Sequence, residues 1–465
     1  MPEEAPLTSS HHIVVFPFMA QGHTIPLLYL CNALSSMGHR STIITTPLNA
    51  ISMRRTLDCQ NPKIRLIELP FPEEPAVPRN CENTDQLPSV DLFVPFLKAT
   101  QKLRPQFDQI LEELTVIDPP ICIVSDFFHG WTLDSAKRLG IPRLVFHGMG
   151  AYSMSICKSV CVHYPQKGLT ETEPFRVPGM PSPVVITRAE LSSPVKDLDP
   201  NDPSFQLLCE VGLADIESDG VLVNTFYELE PAWVDCFEGF YKKGSRAWCV
   251  GPLCLYSRSP QDALDSNPCI DWLGRQEVGS VVYVSFGTQV AVSRGQMREI
   301  ALGLERSGAK YLWVVRGEEG EEFEERENGL IARVWVPQVA VLCHVAIGGF
   351  MSHCGWNSVL ESLVHGVPIL GWGMIAEQQL NAKVVEEVLG VGIRVLEEGE
   401  GEGGNLVEGE VISGKVAELM RGERGRKARR RAAEVAEAAR EAVAPGGSSY
   451  TALANLVEDL AGKRR

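Results

Sequence analysis

Several residues that can bind or activate a ligand lie close together in the segment SHCGWNSVLES, residues 352–362. Apolar runs on either side predict a strand before it and a helix within it. A helix beginning near Asn357 would point free backbone N–H groups and the positive end of its dipole outward, which favours a phosphate. His353 can donate to a second phosphate, and the Glu361 carboxylate can accept two ribose hydroxyl hydrogens. Simple helix capping by Asn357 and Ser358 explains these residues equally well.

Two further polar residues with possible catalytic chemistry follow apolar runs early in the chain: His23 in FPFMAQGHTIP and Asp126 in IVSDFF. We predict each at the end of a strand of one sheet. An aspartate bonded to one ring nitrogen fixes the tautomer of a histidine and stabilises the imidazolium formed during general-base catalysis. By itself, a histidine at such a turn is more often structural, and Asp126 can equally cap the following helix.

Composition limits the classes of protein that can hold these residues. At 465 residues and 44% hydrophobic, the chain predicts two sizeable cores and excludes a small disulfide or metal scaffold. A net charge of -16 argues against nucleic acid or an anionic membrane as the main partner. Thirteen irregularly spaced cysteines and the polar start MPEEAPLTSSHH predict reduced thiols and a cytoplasmic location. No apolar segment is long enough for a membrane span.

The elements that must position these residues form two copies of a strand–helix–strand pattern. HIVVFPF predicts a strand, Pro26 fits the first turn of the helix after it, and Gly38 its end. The pattern restarts at VVYVSFGT, after Gly251-Pro252. We therefore predict an α/β fold of two Rossmann-like doubly wound domains facing across a cleft, with ligands at the carboxyl ends of the strands. The predicted divisions are an N-terminal domain (1–245), a linker (246–268), a C-terminal domain (269–445) and a helix that packs back toward the N-terminal domain (446–465).

The wider segment Trp335–Gln378 resembles the signature of plant secondary-product UDP-dependent glycosyltransferases, which are inverting enzymes with the GT-B fold. The resemblance rests on WVPQ, LCH, SHCGWNS, the following ES and GVP, and the final EQ. It is highly specific, and the two-domain pattern extends it over essentially the whole chain. One departure is Gly373, where many members carry proline after Trp372.

The resemblance implies a donor site for UDP-glucose, without a metal or a further cofactor. Its residues are Ser285, Thr288, Trp335, Gln338, His353, Gly355, Trp356, Asn357, Ser358, Glu361, Glu377 and Gln378. Trp335 is expected to stack on uracil with Gln338 beside it, and Glu361 to bind the ribose. The residues expected to bind the diphosphate are His353, Asn357, Ser358, Ser285 and Thr288. Those expected to bind the sugar are Trp356, Glu377 and Gln378. A literal D-x-D at Asp197 and Asp199 lies in a proline-rich loop, and we interpret it as a turn.

The resemblance also implies the reaction. His23 becomes the general base and Asp126 its partner, and glucose passes with inversion to a small apolar plant metabolite, a flavonoid or other phenolic, by O-glucosylation. C-glucosylation of a phenolic and O-glucosylation of a terpenoid or hormone stay open. So do two other classes, a UDP-sugar epimerase or hydrolase and a silent UDP-sugar-binding protein. We expect a monomer.

The acceptor is expected against apolar loops of the N-terminal domain, since methionine-rich and aromatic walls suit flat phenolics or terpenoids. The predicted wall consists of Phe18, Met19, Phe93, Phe127, His147, Met149 and Tyr152, with residues 164–201 as a mobile lid. Any of these side chains can equally belong to the ordinary core. Gly148 stands where some flavonoid-glucosylating relatives carry threonine, which leaves sugar contacts from that side open.

Overall fold

The computed structural model describes residues 10–57, 61–257, 267–290, 292–315, 323, 328–333, 335–396 and 406–462. The strands are β1 (His12–Phe16), β2 (Arg40–Thr45), β3 (Ile64–Glu68), β4 (Cys122–Asp126), β5 (Arg143–His147), β6 (Phe175–Arg176), β7 (Val185–Ile186), β8 (Gly220–Val223), β9 (Ala247–Cys249), β10 (Val281–Ser285), β11 (Lys310–Val314), β12 (Gly329–Ala332), β13 (Ile347–Ser352), β14 (Ile369–Gly371) and β15 (Gly392–Arg394). The helices are α1 (Gln21–Ser36), α2 (Pro47–Thr56), α3 (Phe93–Gln101), α4 (Arg104–Ile117), α5 (Thr132–Leu139), α6 (Ala151–His163), α7 (Ser193–Lys196), α8 (Pro203–Ile216), α9 (Pro231–Glu238), α10 (Pro268–Leu273), α11 (Arg294–Ser307), α12 (Gln338–Cys343), α13 (Trp356–Val364), α14 (Gln378–Lys383), α15 (Gly409–Arg421), α16 (Glu423–Val443) and α17 (Ser448–Gly462).

Seven parallel strands form the N-terminal sheet in the order β3-β2-β1-β4-β5-β8-β9. The side chains of β1 alternate between two apolar clusters, so both faces of the sheet are covered. This double burial explains why its strands are continuous apolar runs. Phe16 pairs with Ser125, and Asp126 with Phe146, so the carboxyl ends of β1, β4 and β5 lie at one edge.

Six parallel strands form the C-terminal sheet in the order β12-β11-β10-β13-β14-β15. Ser285 pairs with Ser352, and Ser352 with Gly371, so the loops that follow β10, β13 and β14 meet at one edge. The two parallel sheets confirm the predicted α/β fold of two Rossmann-like domains.

The segment predicted as a linker, 246–268, is partly a strand. Residues 247–249 form β9, which pairs in parallel with β8, and Trp248 and Leu253 are buried in the core of the N-terminal sheet. The N-terminal domain therefore extends beyond residue 245, because a short strand closes the edge of its sheet. Residues 258–266 of the predicted linker lie outside the described residues.

The last helix, α17, packs on the N-terminal sheet. Its apolar side chains lie in the same cluster as Ile13 and Leu34, and the hydroxyl of Ser449 donates to the carbonyl of Gly251 at 2.6 Å. An amphipathic helix at the end of the chain therefore covers a face of the first domain. Among the helices of the described ranges, none combines the length and the apolar character needed to cross a bilayer.

Candidate active site

His23 and Asp126 meet at the carboxyl edge of the N-terminal sheet. His23 lies in the first turn of α1 and Asp126 is the last residue of β4. Nδ1 of His23 is 2.8 Å from Oδ2 of Asp126, and Oδ1 of Asp126 accepts the backbone N–H of Phe128 at 3.0 Å. The imidazole is 24% exposed, whereas the carboxylate is fully buried. With Nδ1 held by Asp126, Nε2 is the ring nitrogen left to take a proton.

The electrostatics of this pair favour a protonated His23 next to an ionised Asp126. Burial lowers the pKa of His23, but the charge and hydrogen bond of Asp126 and the charge of Glu377 outweigh it, so the pKa lies above its ordinary value. Burial raises the pKa of Asp126, and the charge and hydrogen bond of His23 overcome it, so that pKa lies below its ordinary value. An imidazolium formed by proton abstraction is therefore stabilised here.

A buried arginine that sequence reasoning did not single out supports the Asp126 strand. Arg143, in β5, donates from Nε to the hydroxyl of Ser125 at 2.8 Å and from Nη2 to the carbonyl of Asp126 at 3.3 Å. Its remaining N–H groups bond to the helix α8 end, including the hydroxyl of Ser218 at 2.6 Å. The one charge inside the apolar run IPRLVF was a usable signal, because a fully buried arginine must have several acceptors.

Glu361 is held in a network with two other residues of the predicted donor site. Nε2 of Gln338 donates to the hydroxyl of Ser358 at 2.9 Å and to Oε2 of Glu361 at 2.7 Å. Burial raises the pKa of Glu361 to about 7, although the hydrogen bond from Gln338 lowers it. Trp335, just before this network in the chain, is 73% exposed and presents an aromatic face to solvent.

His353 lies in a slot between two glycines. A Cβ added at Gly287 would lie 2.7 Å from Nε2 of His353, and one at Gly355 would lie 2.5 Å from the same atom. Gly287 also has a φ of +75°, which side-chain-bearing residues rarely adopt. Burial lowers the pKa of His353 to about 4, so the ring is neutral at pH 7. Side chains at either glycine position would displace the imidazole from the end of β13.

Two residues of the signature contact the opposite domain. The indole of Trp356 is buried, donates from Nε1 to the carbonyl of Asn224 at 2.8 Å and packs against Gly150. We expected Trp356 to meet the sugar, but its side chain lies in the domain interface, because the start of α13 packs against the loops after β5 and β8. Asn357 also bridges the domains, since its Nδ2 donates to the carbonyl of Gly22 at 2.6 Å.

The loop between β14 and α14 brings Glu377 near His23. Glu377 accepts from Nδ2 of Asn381 at 3.1 Å, burial raises its pKa, and its charge acts on His23 across the cleft. Gln378 is nearly buried, and its Oε1 accepts the backbone N–H groups of Met374 at 3.3 Å and Ile375 at 3.1 Å. Glu377 therefore lies close enough to His23 for its charge to act on the imidazole, in a loop that Gln378 stabilises.

The glycine noted as a departure, Gly373, is required by the shape of this loop. A Cβ there would lie 2.5 Å from backbone atoms of Gln378 and Gln379. Two residues with side chains adopt positive φ close by, Ala376 at 51° and Cys354 at 61°. Such strained conformations gather at functional sites more often than elsewhere.

The loop after β10 completes the edge of the C-terminal domain. Ser285, at the end of the strand, is buried, whereas Thr288 is exposed. The neighbouring Gln289 donates from Nε2 to the hydroxyl of Thr84 in the N-terminal domain at 2.7 Å. Thr288 therefore lies in a loop that is tied across the cleft.

Part of the predicted acceptor wall surrounds His23. The ring centroid of Phe18 lies 5.5 Å from that of His23, and the ring of Phe128 lies 5.4 Å away. Phe93 contacts Phe128 with 5.4 Å between centroids. Phe93, Phe128 and Met149 are partly exposed, whereas Phe18 is buried. The rings of Phe93 and Phe128 form an aromatic rim next to His23.

The other predicted wall residues lie deeper. Met19 and Phe127 are buried in the main core cluster. His147 is fully buried, with Nε2 3.1 Å from Oδ1 of Asp215, and Tyr152 packs edge-on against Trp233 with 4.6 Å between centroids. The structure does not bring His147 and Tyr152 to the surface of the cleft, because both are used in core packing.

The segment predicted as a lid is held by charge to the C-terminal domain. Glu190, within 164–201, lies 3.3 Å from Nζ of Lys383, and Arg394 lies 3.9 Å away. The Lys383 side chain is only 3% exposed. These ion pairs therefore hold the predicted lid beside α14 in this conformation.

Two Rossmann-like domains that face each other across a cleft define the GT-B class of glycosyltransferases, and in this chain the signature segment lies on the edge of the second domain. The family model for UDP-glucoronosyl and UDP-glucosyl transferases matches residues 263–400. The chain is 40% identical over 476 residues to UDP-glycosyltransferase 90A1 of Arabidopsis thaliana, covering 98% of each chain. The chain belongs to the plant UDP-glycosyltransferase family, and it is therefore a transferase that uses a UDP-sugar.

The chain is also similar in sequence to enzymes whose names state an activity. Scopoletin glucosyltransferase of Nicotiana tabacum is 38% identical, with 97% of this chain and 98% of the relative covered. UDP-glucose flavonoid 3-O-glucosyltransferase 7 of Fragaria ananassa is also 38% identical, with 97% and 96% covered.

Solved structures agree with the fold. UGT73P12 of Glycyrrhiza uralensis, complexed with glycyrrhetinic acid 3-O-monoglucuronide, superposes with a TM-score of 0.88 at 30% identity, covering 98% of this chain and 96% of that one. UGT2 of Phytolacca americana, complexed with UDP-2fluoro-glucose and pterostilbene, superposes with a TM-score of 0.82 at 26% identity, covering 97% and 100%.

Proposed function

We propose that this enzyme transfers glucose from UDP-glucose to a hydroxyl group of a flavonoid or other small phenolic, with inversion at the anomeric carbon. The observation that carries the proposal is the 2.8 Å contact between His23 and Asp126 beside Glu377 of the opposite domain. The named activities of the relatives that act on scopoletin and on a flavonoid support the phenolic class.

The proposed reaction is a single in-line displacement. Nε2 of His23 takes the proton of the acceptor hydroxyl, and the acceptor oxygen forms a bond to the anomeric carbon while the bond from that carbon to the UDP oxygen breaks. UDP leaves with the electron pair of that bond. Asp126 stabilises the imidazolium, so the positive charge is balanced as it forms. The product is a β-glycoside when the donor is α-linked.

The proposed donor site follows the edge of the C-terminal sheet. Trp335 offers an exposed ring for the uracil base, and the carboxylate of Glu361 accepts the ribose hydroxyls. The N-terminal end of α13, with His353 beside it, stabilises the diphosphate charge, both in the bound donor and in the departing UDP. Ser285 and Thr288 contribute from the neighbouring loop.

The proposed acceptor site is the aromatic rim of Phe93 and Phe128 beside His23, together with the partly exposed Met149 of the same core cluster. Flat rings pack well against such a rim, and a hydroxyl at the edge of a phenolic would reach the base. Of the buried members of the predicted wall, Phe18 and Phe127 pack against the rim, whereas Met19, His147 and Tyr152 belong to the core behind it. A cytoplasmic location, a monomeric state and the absence of a further cofactor remain predictions from the sequence.

The test is incubation of the purified enzyme with UDP-glucose alone and then with a panel of flavonoids and simple phenols. We expect a glucoside by mass spectrometry, with a large anomeric proton coupling that identifies the β-linkage. Conversion or release of the sugar without an acceptor would instead indicate an epimerase or hydrolase. Tight UDP binding without turnover on the whole panel would indicate a binding protein, and either result would overturn the proposal.

A further inference from the structure

Pro26 lies inside helix α1, although the sequence predicted it in the first turn. The helix begins at Gln21, so Pro26 occupies its second turn. Proline has no backbone N–H, and in a helix that N–H would donate to the carbonyl four residues earlier. That carbonyl belongs to Gly22, the residue directly before the base His23.

The carbonyl of Gly22 has a donor from the other domain. Nδ2 of Asn357 donates to it at 2.6 Å, from the second residue of α13. The side chain of Asn357 is fixed on its other side as well, because its Oδ1 accepts from Nδ2 of Asn224 at 3.3 Å. Asn224 is in turn held by a 3.0 Å bond from the backbone N–H of Leu253 to its Oδ1.

We infer that Asn357 is a positioning residue that fixes the turn carrying His23 relative to the donor end of α13, and that Pro26 favours this by leaving the Gly22 carbonyl without a competing helical donor. This inference rests on the proposed function, in which His23 is the base. An amide nitrogen carries two hydrogens, so Asn357 can hold Gly22 with one and still offer the other to the diphosphate. Correct placement of the base and binding of the donor are then linked through one side chain.

Four proteins test the inference: the wild type, Pro26→Ala, Asn357→Ala and the double variant. Pro26→Ala supplies an N–H that competes for the Gly22 carbonyl within the helix. We expect the kcat of Pro26→Ala to fall roughly 5- to 50-fold, since small displacements of a catalytic group are costly. The Kd of UDP, measured by calorimetry, should change less than about twofold in Pro26→Ala, because α13 itself is unaltered.

Non-additivity is the decisive result. If both residues act through one hydrogen bond, the double variant should have a kcat no lower than that of Asn357→Ala. The midpoint of thermal unfolding should follow the same rule, with Asn357→Ala lowering it less when Pro26→Ala is present. Additive effects on the midpoint would overturn the hydrogen-bond linkage, and a kcat of Pro26→Ala equal to that of the wild type would overturn the positioning role.

Two controls separate positioning from general damage. Pro203→Ala makes the same chemical change at the first residue of α8, where no interior helical carbonyl is freed, and should leave kcat unchanged. A strongly acidic phenol, which ionises without a base, should lose much less rate in Pro26→Ala than an ordinary phenol; equal losses would overturn the inference. A wild type without any transferase activity would refute the proposed function. The thermal-unfolding midpoints of the four proteins would still show whether Pro26 and Asn357 act through one hydrogen bond.

Discussion

Nδ1 of His23 lies 2.8 Å from Oδ2 of Asp126 in one domain, and the charge of Glu377 reaches the same imidazole from the other. His23, the proposed base, therefore lies between its own aspartate and the loop proposed to bind the sugar. A phenolic hydroxyl at the aromatic rim would meet the Nε2 side of the ring. In the proposed reaction, proton transfer and the position of the donor therefore depend on the same part of the cleft.

We expect His23→Ala to reduce kcat by roughly 10²- to 10⁴-fold, the usual contribution of a general base. The Kd of UDP should change little, because the base acts on the acceptor. Asp126→Asn should cause a smaller loss, since His23 remains. Steady-state kinetics with an ordinary phenol and calorimetry with UDP measure both effects, and His163→Ala, at the exposed end of α6, is the matched control. Near-normal turnover of His23→Ala would exclude it as the base.

The rate should fall on the acidic side of a pKa that lies above the ordinary value for histidine. A general base must be neutral to accept a proton, and Asp126 and Glu377 together raise the pKa of His23 despite its burial. Asp126→Asn removes the stronger of these two influences and should move this acidic limb to lower pH while lowering the maximum rate. A profile of log kcat against pH shows both shifts, and a limb that stays in place would contradict the assignment of Asp126.

Binding of UDP-glucose should weaken as the pH falls below about 7, the value to which burial raises the pKa of Glu361. Ribose hydroxyls donate to the carboxylate, and protonation removes one acceptor, so the affinity falls as the pH drops until the loss equals that of Glu361→Gln. UDP-glucose is the suitable probe, because its diphosphate has no terminal phosphate that titrates in this range. Calorimetry between pH 6 and about 8 measures the slope.

Two variants check this origin of the pH dependence. Glu361→Gln should weaken binding by about 1–3 kcal/mol at high pH and abolish the slope. His353→Ala should weaken binding by a similar amount but keep the slope, since His353 has a pKa of about 4 and is neutral throughout. A slope that persists in Glu361→Gln would assign the titration to another group.

Much of the fold and the pairing of the base could be predicted from local patterns. Apolar runs that end in polar residues located the ends of β1, β4 and β13, and parallel sheets bring such ends together, which is how His23 and Asp126 meet. The strand β9 was missed because only three residues form it, fewer than a periodicity needs.

Contacts between the domains could not be predicted, because they depend on how two separately folded units pack. The signature gave no sign that the indole of Trp356 donates to Asn224, or that Asn357 donates to Gly22, since each of these pairs joins the two domains. The interior position of Pro26 was missed because α1 begins two residues before the base, at Gln21, without a side-chain cap to mark it.

We expect UDP-glucose to be preferred over UDP-galactose by about 1–3 kcal/mol in kcat/KM, because an inverted hydroxyl leaves a buried polar group poorly paired. The Gln378 carbonyl oxygen already accepts the N–H groups of Met374 and Ile375, so its amide nitrogen is left to donate, whereas the carboxylate oxygens of Glu377 beside it accept. Such a pair fits adjacent equatorial hydroxyls. Competition between both sugar nucleotides at equal concentration measures the ratio, which Gln378→Ala should narrow and Gln109→Ala, on the exposed side of α4, should not. Equal incorporation of glucose and galactose by the wild type, or an excess of galactoside, would show that this loop does not distinguish the two sugars.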